Sequence, residues 1–488
     1  MTSTKKSDKA TAPVIVWFRN DLRVADNRAL DAAAESGRPV VPLFVLEDAE
    51  DAIPLGGAQR WWLHHSLAAL SKSLEELGAP LILRRGDPLA ILKEIADETG
   101  ADTVFWNRRY TPTLTKRDAE IKSDLRAAGW TVESHEGPLL HEPTRLKTGS
   151  GGPYRVYTPF WRAFSETPPP RPPLDAPDSL IAHDGDTASD ELVDWSLLPT
   201  KPDWSGGIAD EWTPGEDGAA ERLERFLDEA IDGYGDARDC PDGETTSKLS
   251  PHLAFGEITP FQIWEATEER RGDAPSSDMT KFRKELVWRE FSWHLLVNFP
   301  DLPTANFNED FDAFPWREPG EDLTAWQKGR TGYPIVDAGM RQLWQTGWMH
   351  NRVRMIVASF LIKHLLIDWR HGESWFRDTL VDADPASNAA SWQWVAGSGA
   401  DAAPYFRIFN PILQGEKFDP DGAYVRHFVP ELEALPDKYL HKPWDAPESV
   451  LSKAGVKLGD TYPRPLVEHA GARERAMVAY KDMKGKAA

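Results

Sequence analysis

The chain has 488 residues, 41% of them hydrophobic and 27% charged, more apolar material than one compact core holds, so two or three folded domains are expected. No apolar run approaches the roughly 20 residues of a membrane-spanning helix, and the polar start MTSTKKSDKATAP has no hydrophobic segment after it, so membrane and secretory readings fail and the expected compartment is the cytoplasm. A single cysteine, Cys240, excludes a disulfide framework and a thiolate-rich metal site, and a net charge of −22 argues at first sight against a polyanionic partner.

Short apolar runs at 13–18 (PVIVWF), 39–47, 80–86 and 101–107 predict buried parallel strands. Periodic stretches at 27–36, 57–77, 87–99 and 114–128 predict the helices between them. This alternation specifies an α/β domain over 13–135, a doubly wound parallel sheet with its ligand side at the C-terminal strand ends. Neither a G-x-G-x-x-G after the first strand nor a P-loop is present, so the usual dinucleotide and phosphate sites are unsupported. Residues 136–215 are expected to form an extended interdomain linker, because SETPPPRPPLDAPDSL (165–180) is too rich in proline for helix or central strand. From 216 to 488 the pattern is all-helical, with helices predicted at 218–232, 258–270, 279–297, 333–346, 349–367 and 370–380.

Charge is unevenly spread: 210–244 carries 13 acidic and three basic residues, whereas 341–370 sets Arg341, Arg352, Arg354, Lys363 and Arg370 against Asp368 alone. Such a stretch can bind phosphates on an otherwise acidic chain, although ordinary helix decoration is the commoner explanation. The 21 tryptophans, against 10 tyrosines, are many for packing alone. Indole stacks on nucleobases and flavins and conducts electrons beside a redox cofactor. In KELVWRE, Glu285 and Trp288 are three apart and share a helix face, placing a carboxylate beside a stacking surface. Thr246, Ser247 and Ser250 precede a helix start and offer hydroxyls and N–H groups to an anion. Arg354 has acidic partner candidates in DADPASN (382–388). No residue spacing suggests a resident metal.

The stretches VIVWFRNDLRVADNRAL (14–30), TSKLSPHLAFGE (246–257), ELVWREF (285–291), TGYPIVDAGMRQLWQTGWMHNRVRMIVASFLIKHLLIDWR (331–370) and NAASWQWVAGSGADAAPYFRIFNPILQGEKFD (388–419) together resemble the photolyase/cryptochrome flavoproteins over essentially the whole chain. Within that family they are most similar to class I cyclobutane pyrimidine dimer photolyases. The resemblance implies a monomer that repairs UV-damaged DNA, light driving an electron from reduced FAD to a flipped-out pyrimidine dimer.

It also implies roles residue by residue. FAD would be held by Tyr234, Thr246, Ser247, Lys248 (where Arg is more usual), Leu249, Ser250, Arg354, Asp382, Asp384 and Asn388, the last facing the reactive edge of the ring. Trp288 and Trp394 would wall the lesion pocket, Glu285 would hydrogen-bond the pyrimidines, and Asn351 and Met355 would complete the lining. Arg238, Arg289, Arg352 and Arg407 would meet DNA, and Trp392, Trp369 and Trp316 would re-reduce the flavin. A second, antenna chromophore, a folate or a deazaflavin, is expected in the α/β domain, with WNRRYTPTLTKRD (106–118) favouring neither. A (6-4) photolyase would carry His at Asn351 and Met355, which disfavours that activity. A light-sensing cryptochrome is the alternative, and a flavin-free nucleic-acid-binding module is the reading from outside the enzymes.

Overall fold

VIVWF, the first strand, is apolar at every position because it lies in the middle of a sheet covered on both faces. In the computed structural model, which describes residues 11–47, 54–270, 276–403 and 406–487, β1 (Val14–Phe18) is buried throughout. It is flanked by β2 (Val40–Glu47) and β4 (Thr103–Asn107), with β3 (Ile82–Gly86) and β5 (Thr131–His135) outside them, all parallel in the order β3-β2-β1-β4-β5. The crossovers are α1 (Arg28–Glu35), α2 (Gly57–Glu76), α3 (Pro88–Thr99) and α4 (Pro112–Ala127). Asn27 caps α1 by accepting from Leu30 N–H at 3.1 Å, and Asp87 caps α3 by accepting from Ala90 N–H at 2.8 Å.

The order reverses between β1 and β4, the place where a doubly wound sheet opens a crevice. Here that end is filled with charge. Arg109 reaches Glu47 at 2.5 Å and Asp118 at 2.8 Å, Arg117 also pairs with Glu47, and the buried Arg19 lies 3.5 Å from Asp118.

The segment 136–215 is not uniformly extended. Its Pro-dense part, 167–180, forms neither helix nor ladder, but Tyr157–Ser165 is helical (α5) and buries Tyr157, Phe160 and Phe164 in a cluster with Phe291 and Leu295. Beyond it the predicted helices are present, among them Ser277–Asn298, Pro334–Thr346 and Trp369–Thr379. The helix expected over 349–367 divides: Asn351–Ser359 is α-helical and Phe360–His364 is one π turn. That wider turn contains the buried Lys363, whose Nζ donates to Ala396 O at 2.5 Å, at the carbonyl end of helix Pro385–Ala396. Helix Pro385–Ala396 itself carries no prediction above, although Asp384-Pro385 is a helix-start dipeptide.

Candidate active site

Three helices, Asn351–Ser359, Trp369–Thr379 and Pro385–Ala396, pack together and bring most of the expected flavin residues to one place. Arg354 Nη2 lies 2.8 Å from Asp382 Oδ2, which also accepts from Ser250 Oγ at 2.6 Å. Arg354 Nε donates to Met349 O at 2.7 Å, fixing the guanidinium plane. Asp382 Oδ1 is buried and has no hydrogen-bond partner among the described residues. A buried carboxylate oxygen left so costs stability unless a ligand supplies a donor. That orphan, beside a fixed guanidinium, fits the polar edge of an isoalloxazine ring. Asn388 Nδ2 donates to Glu373 Oε1 at 2.9 Å, so the amide is held by a residue absent from the sequence expectations. Burial raises the Glu373 carboxyl, against the pull of Arg377 and Asn388. Asp384 is committed elsewhere: it accepts from Ser387 N–H at 2.7 Å as helix cap and from Trp293 Nε1 at 3.0 Å, tying two helices together.

The anion loop lies alongside. Thr246 and Ser247 open on a small cleft shared with Arg222 and Arg225, Leu249 is buried, and Ser250 begins helix Ser250–Phe255. Lys248 is held with φ +49°, a left-handed conformation rare outside glycine, and its ammonium is paired with Glu211 at 2.9 Å and Glu244 at 2.8 Å. Tyr234 packs beneath, its hydroxyl raised by burial.

On helix Ser277–Asn298, Glu285 and Trp288 are both half-buried. Glu285 pairs with Arg238; burial alone would lower that guanidinium, and the Glu285 carboxylate raises it instead. Trp288 is stacked on Tyr157, centroids 3.6 Å apart and planes 7° from parallel. Trp394 Nε1 donates to Asp401 O at 3.0 Å. Asn351 is exposed at its helix start, with Met355 half-buried one turn on.

The cationic expectations change most. Arg289 turns inward, donating to Pro138 O at 2.9 Å and Leu253 O at 3.4 Å, so its guanidinium is engaged in fastening backbone. Arg352 is paired with Asp239 at 2.7 Å, Arg341 with Glu431 at 2.7 Å and Arg370 with Asp368 at 2.8 Å, while Lys363 is buried. The arginines of the stretch 341–370 are therefore all paired, Arg370 with the stretch's own Asp368 and Arg341, Arg352 and Arg354 with carboxylates from elsewhere in the chain. Arg407 is exposed, its guanidinium over Phe409.

Trp392 and Trp369 are buried in one apolar core with Trp316 packed at its edge. Trp369 Nε1 donates to Asn306 Oδ1 at 2.9 Å, whereas Trp392 Nε1 has no partner among the described residues. Among the described residues no helix is long and apolar enough to cross a membrane.

Comparison with known proteins shows the family. Residues 14–178 match the family model described as DNA photolyase, and 282–482 match that of the FAD binding domain of DNA photolyase. A deoxyribodipyrimidine photo-lyase of Agrobacterium fabrum is 63% identical, the match covering 97% of this chain and 98% of the relative. Cryptochrome-1 of Arabidopsis thaliana is 39% identical over 96% of this chain and 70% of its own length. The crystal structure of a bacterial class III photolyase from Agrobacterium tumefaciens superposes with a TM-score of 0.95 at 62% identity, covering 99% of this chain and all of that one.

Proposed function

The chain belongs to the photolyase/cryptochrome family and is an enzyme of the deoxyribodipyrimidine photolyase kind, and from that premise we propose that it repairs cyclobutane pyrimidine dimers in UV-damaged DNA. The similarity to a class III structure favours class III over the class I placement expected from the sequence. The observation that carries the reading is the junction of two half-sites. The Asp382–Arg354 pair with its orphan oxygen borders one side of helix Pro385–Ala396, and Glu285 and Trp288 lie on helix Ser277–Asn298 packed against it.

Reduced FAD, when bound, supplies the electron that light excites. The chain's own residues do the rest. Asp382, Arg354 and Ser250 orient the ring, and Thr246 and Ser247 offer hydroxyl and N–H donors to the phosphates. A flipped-out dimer costs a few kcal/mol to unstack, which stacking on Trp288 and Trp394, worth about 1–3 kcal/mol per base, offsets. The Glu285 carboxylate, held by Arg238, accepts from a pyrimidine ring N–H. Trp316, Trp369 and Trp392 give a route by which an oxidised flavin regains its electron. An antenna chromophore, folate or deazaflavin, would have to contend with the Glu47–Arg109–Asp118 cluster at the sheet end.

The test is blue-light irradiation of the flavin-loaded protein with a thymine-dimer oligonucleotide. Recovery of intact thymines is expected. Flavin photoreduction without thymine recovery would instead assign the chain to the light-sensing role of its cryptochrome relatives, and a preparation without flavin would sink both.

A further inference from the structure

We propose that Tyr157 and Asp401 are positioning residues that brace the two tryptophan walls of the lesion pocket as one unit, an inference that rests on the repair reading above. Tyr157 is the first residue of α5, in the segment expected to be linker, and covers one full face of the Trp288 indole. Its hydroxyl donates to Lys284 O at 2.8 Å, one turn before Trp288 on the same helix, so the phenol is fixed at both ends of its contact. Phe291 meets Trp288 edge-on at 5.8 Å. With one face occupied and an edge blocked, the remaining indole face is the one left for a base.

Asp401 reaches both walls. Its carbonyl accepts from Trp394 Nε1 at 3.0 Å, which stops rotation of that indole, and its carboxylate Oδ2 accepts from Tyr157 N–H at 3.4 Å, which holds the start of α5. Asp401 has φ +56°, a conformation costly for most side chains and tolerated by Asp and Asn. Backbone strain of this kind persists where surrounding contacts over-determine it, and here those contacts are the supports of two stacking surfaces. Walls fixed before the lesion arrives leave less side-chain freedom to be lost on binding. The brace should therefore act on recognition of damaged DNA and leave flavin chemistry alone.

Four variants test this: Tyr157→Ala, Tyr157→Phe, Asp401→Gly and Asp401→Asn. Each is loaded with FAD, checked by flavin absorbance and thermal melting, and titrated with dimer-containing and undamaged duplexes. Tyr157→Ala should weaken dimer binding by about tenfold, with undamaged-duplex affinity and flavin photoreduction unchanged. Tyr157→Phe keeps the stack and should restore dimer binding to within about twofold. Asp401→Gly keeps the backbone conformation and the carbonyl but removes the carboxylate, and should lose severalfold, while Asp401→Asn, whose amide oxygen still accepts, should recover. If wild type repairs dimers and Tyr157→Ala and Asp401→Gly keep its preference for damaged DNA, the brace is wrong. It is equally wrong if both duplexes and the flavin are lost together in Tyr157→Phe and Asp401→Asn. A wild-type protein that ignores the dimer overturns the repair reading, and the inference falls with it.

Discussion

Glu290 is buried two residues after Trp288, accepting from His141 N–H at 3.3 Å, while its other oxygen lies 3.9 Å from Arg289 Nη1 and has no hydrogen-bond partner among the described residues. Burial pushes its carboxyl up from 4.5 to about 7, against the pull of Arg289 and two backbone N–H groups. Below pH 4.5 the folded and unfolded chains both keep this proton, so the group does not discriminate between them. Between 4.5 and about 7 the unfolded chain loses the proton while the folded one retains it, so stability falls with rising pH across that window and stays low above it. Glu290→Gln is expected to remove the fall and to be more stable at pH 8, by up to about 3 kcal/mol, with little change at pH 4; urea melts at the two pH values measure it. Its neighbour Arg289 shows the limit of reading residues singly. Adjacent positions on a helix face different ways, so an arginine beside a pocket tryptophan can point into backbone, and its acceptor Pro138 is 151 residues away in sequence.

At the scale of elements the sequence was most legible where periodicity is strong. The first four strands and their helices stand close to their expected bounds, because buried strands and amphipathic helices write their packing into hydrophobicity. Strand β5 was unassigned because TVESH, at the sheet edge, has only Val132 well buried. The α5 signal, Tyr157, Phe160 and Phe164 at helical spacing, was present but overshadowed by the prolines that follow. In the candidate site the residue types were legible and the pairings were not: Arg352 meets Asp239 across 113 positions and Asn388 meets Glu373 across two helices. One helix contact gives a direct test. A Cβ on Gly372 would lie 2.1 Å from Trp392 Cη2, so Ala there must displace the indole. Overpacking of this kind costs about 1–3 kcal/mol, which outweighs the roughly 1 kcal/mol that Ala gains over Gly in a helix. Gly372→Ala should therefore lower the melting temperature and slow flavin photoreduction severalfold, as followed by bleaching of oxidised flavin under a reductant.

For the whole molecule, the charge of −22 describes a chain that brings distant carboxylates to its arginines, so formal counts along a segment overstate what it offers to phosphates. Among the described residues Arg407, exposed and over Phe409, is an expected DNA contact with a solvent-facing guanidinium. Arg407→Ala should weaken binding to damaged and undamaged duplexes alike and reduce the slope of log affinity against log salt by about 1. Fluorescence anisotropy across a salt series reads both, and an unchanged slope would remove Arg407 from the interface.

If the loop holds the cofactor phosphates as proposed, Lys248 turns this acidity into a property of cofactor uptake. Its ammonium is already shared by Glu211 and Glu244, so a phosphate arriving at the loop replaces carboxylates there rather than water, and loading becomes an exchange of anions around one cation. Dissolved salt screens exposed charges more than buried ones. Of the two holders Glu244 is the more exposed, and it is the one that an ionic medium loosens first.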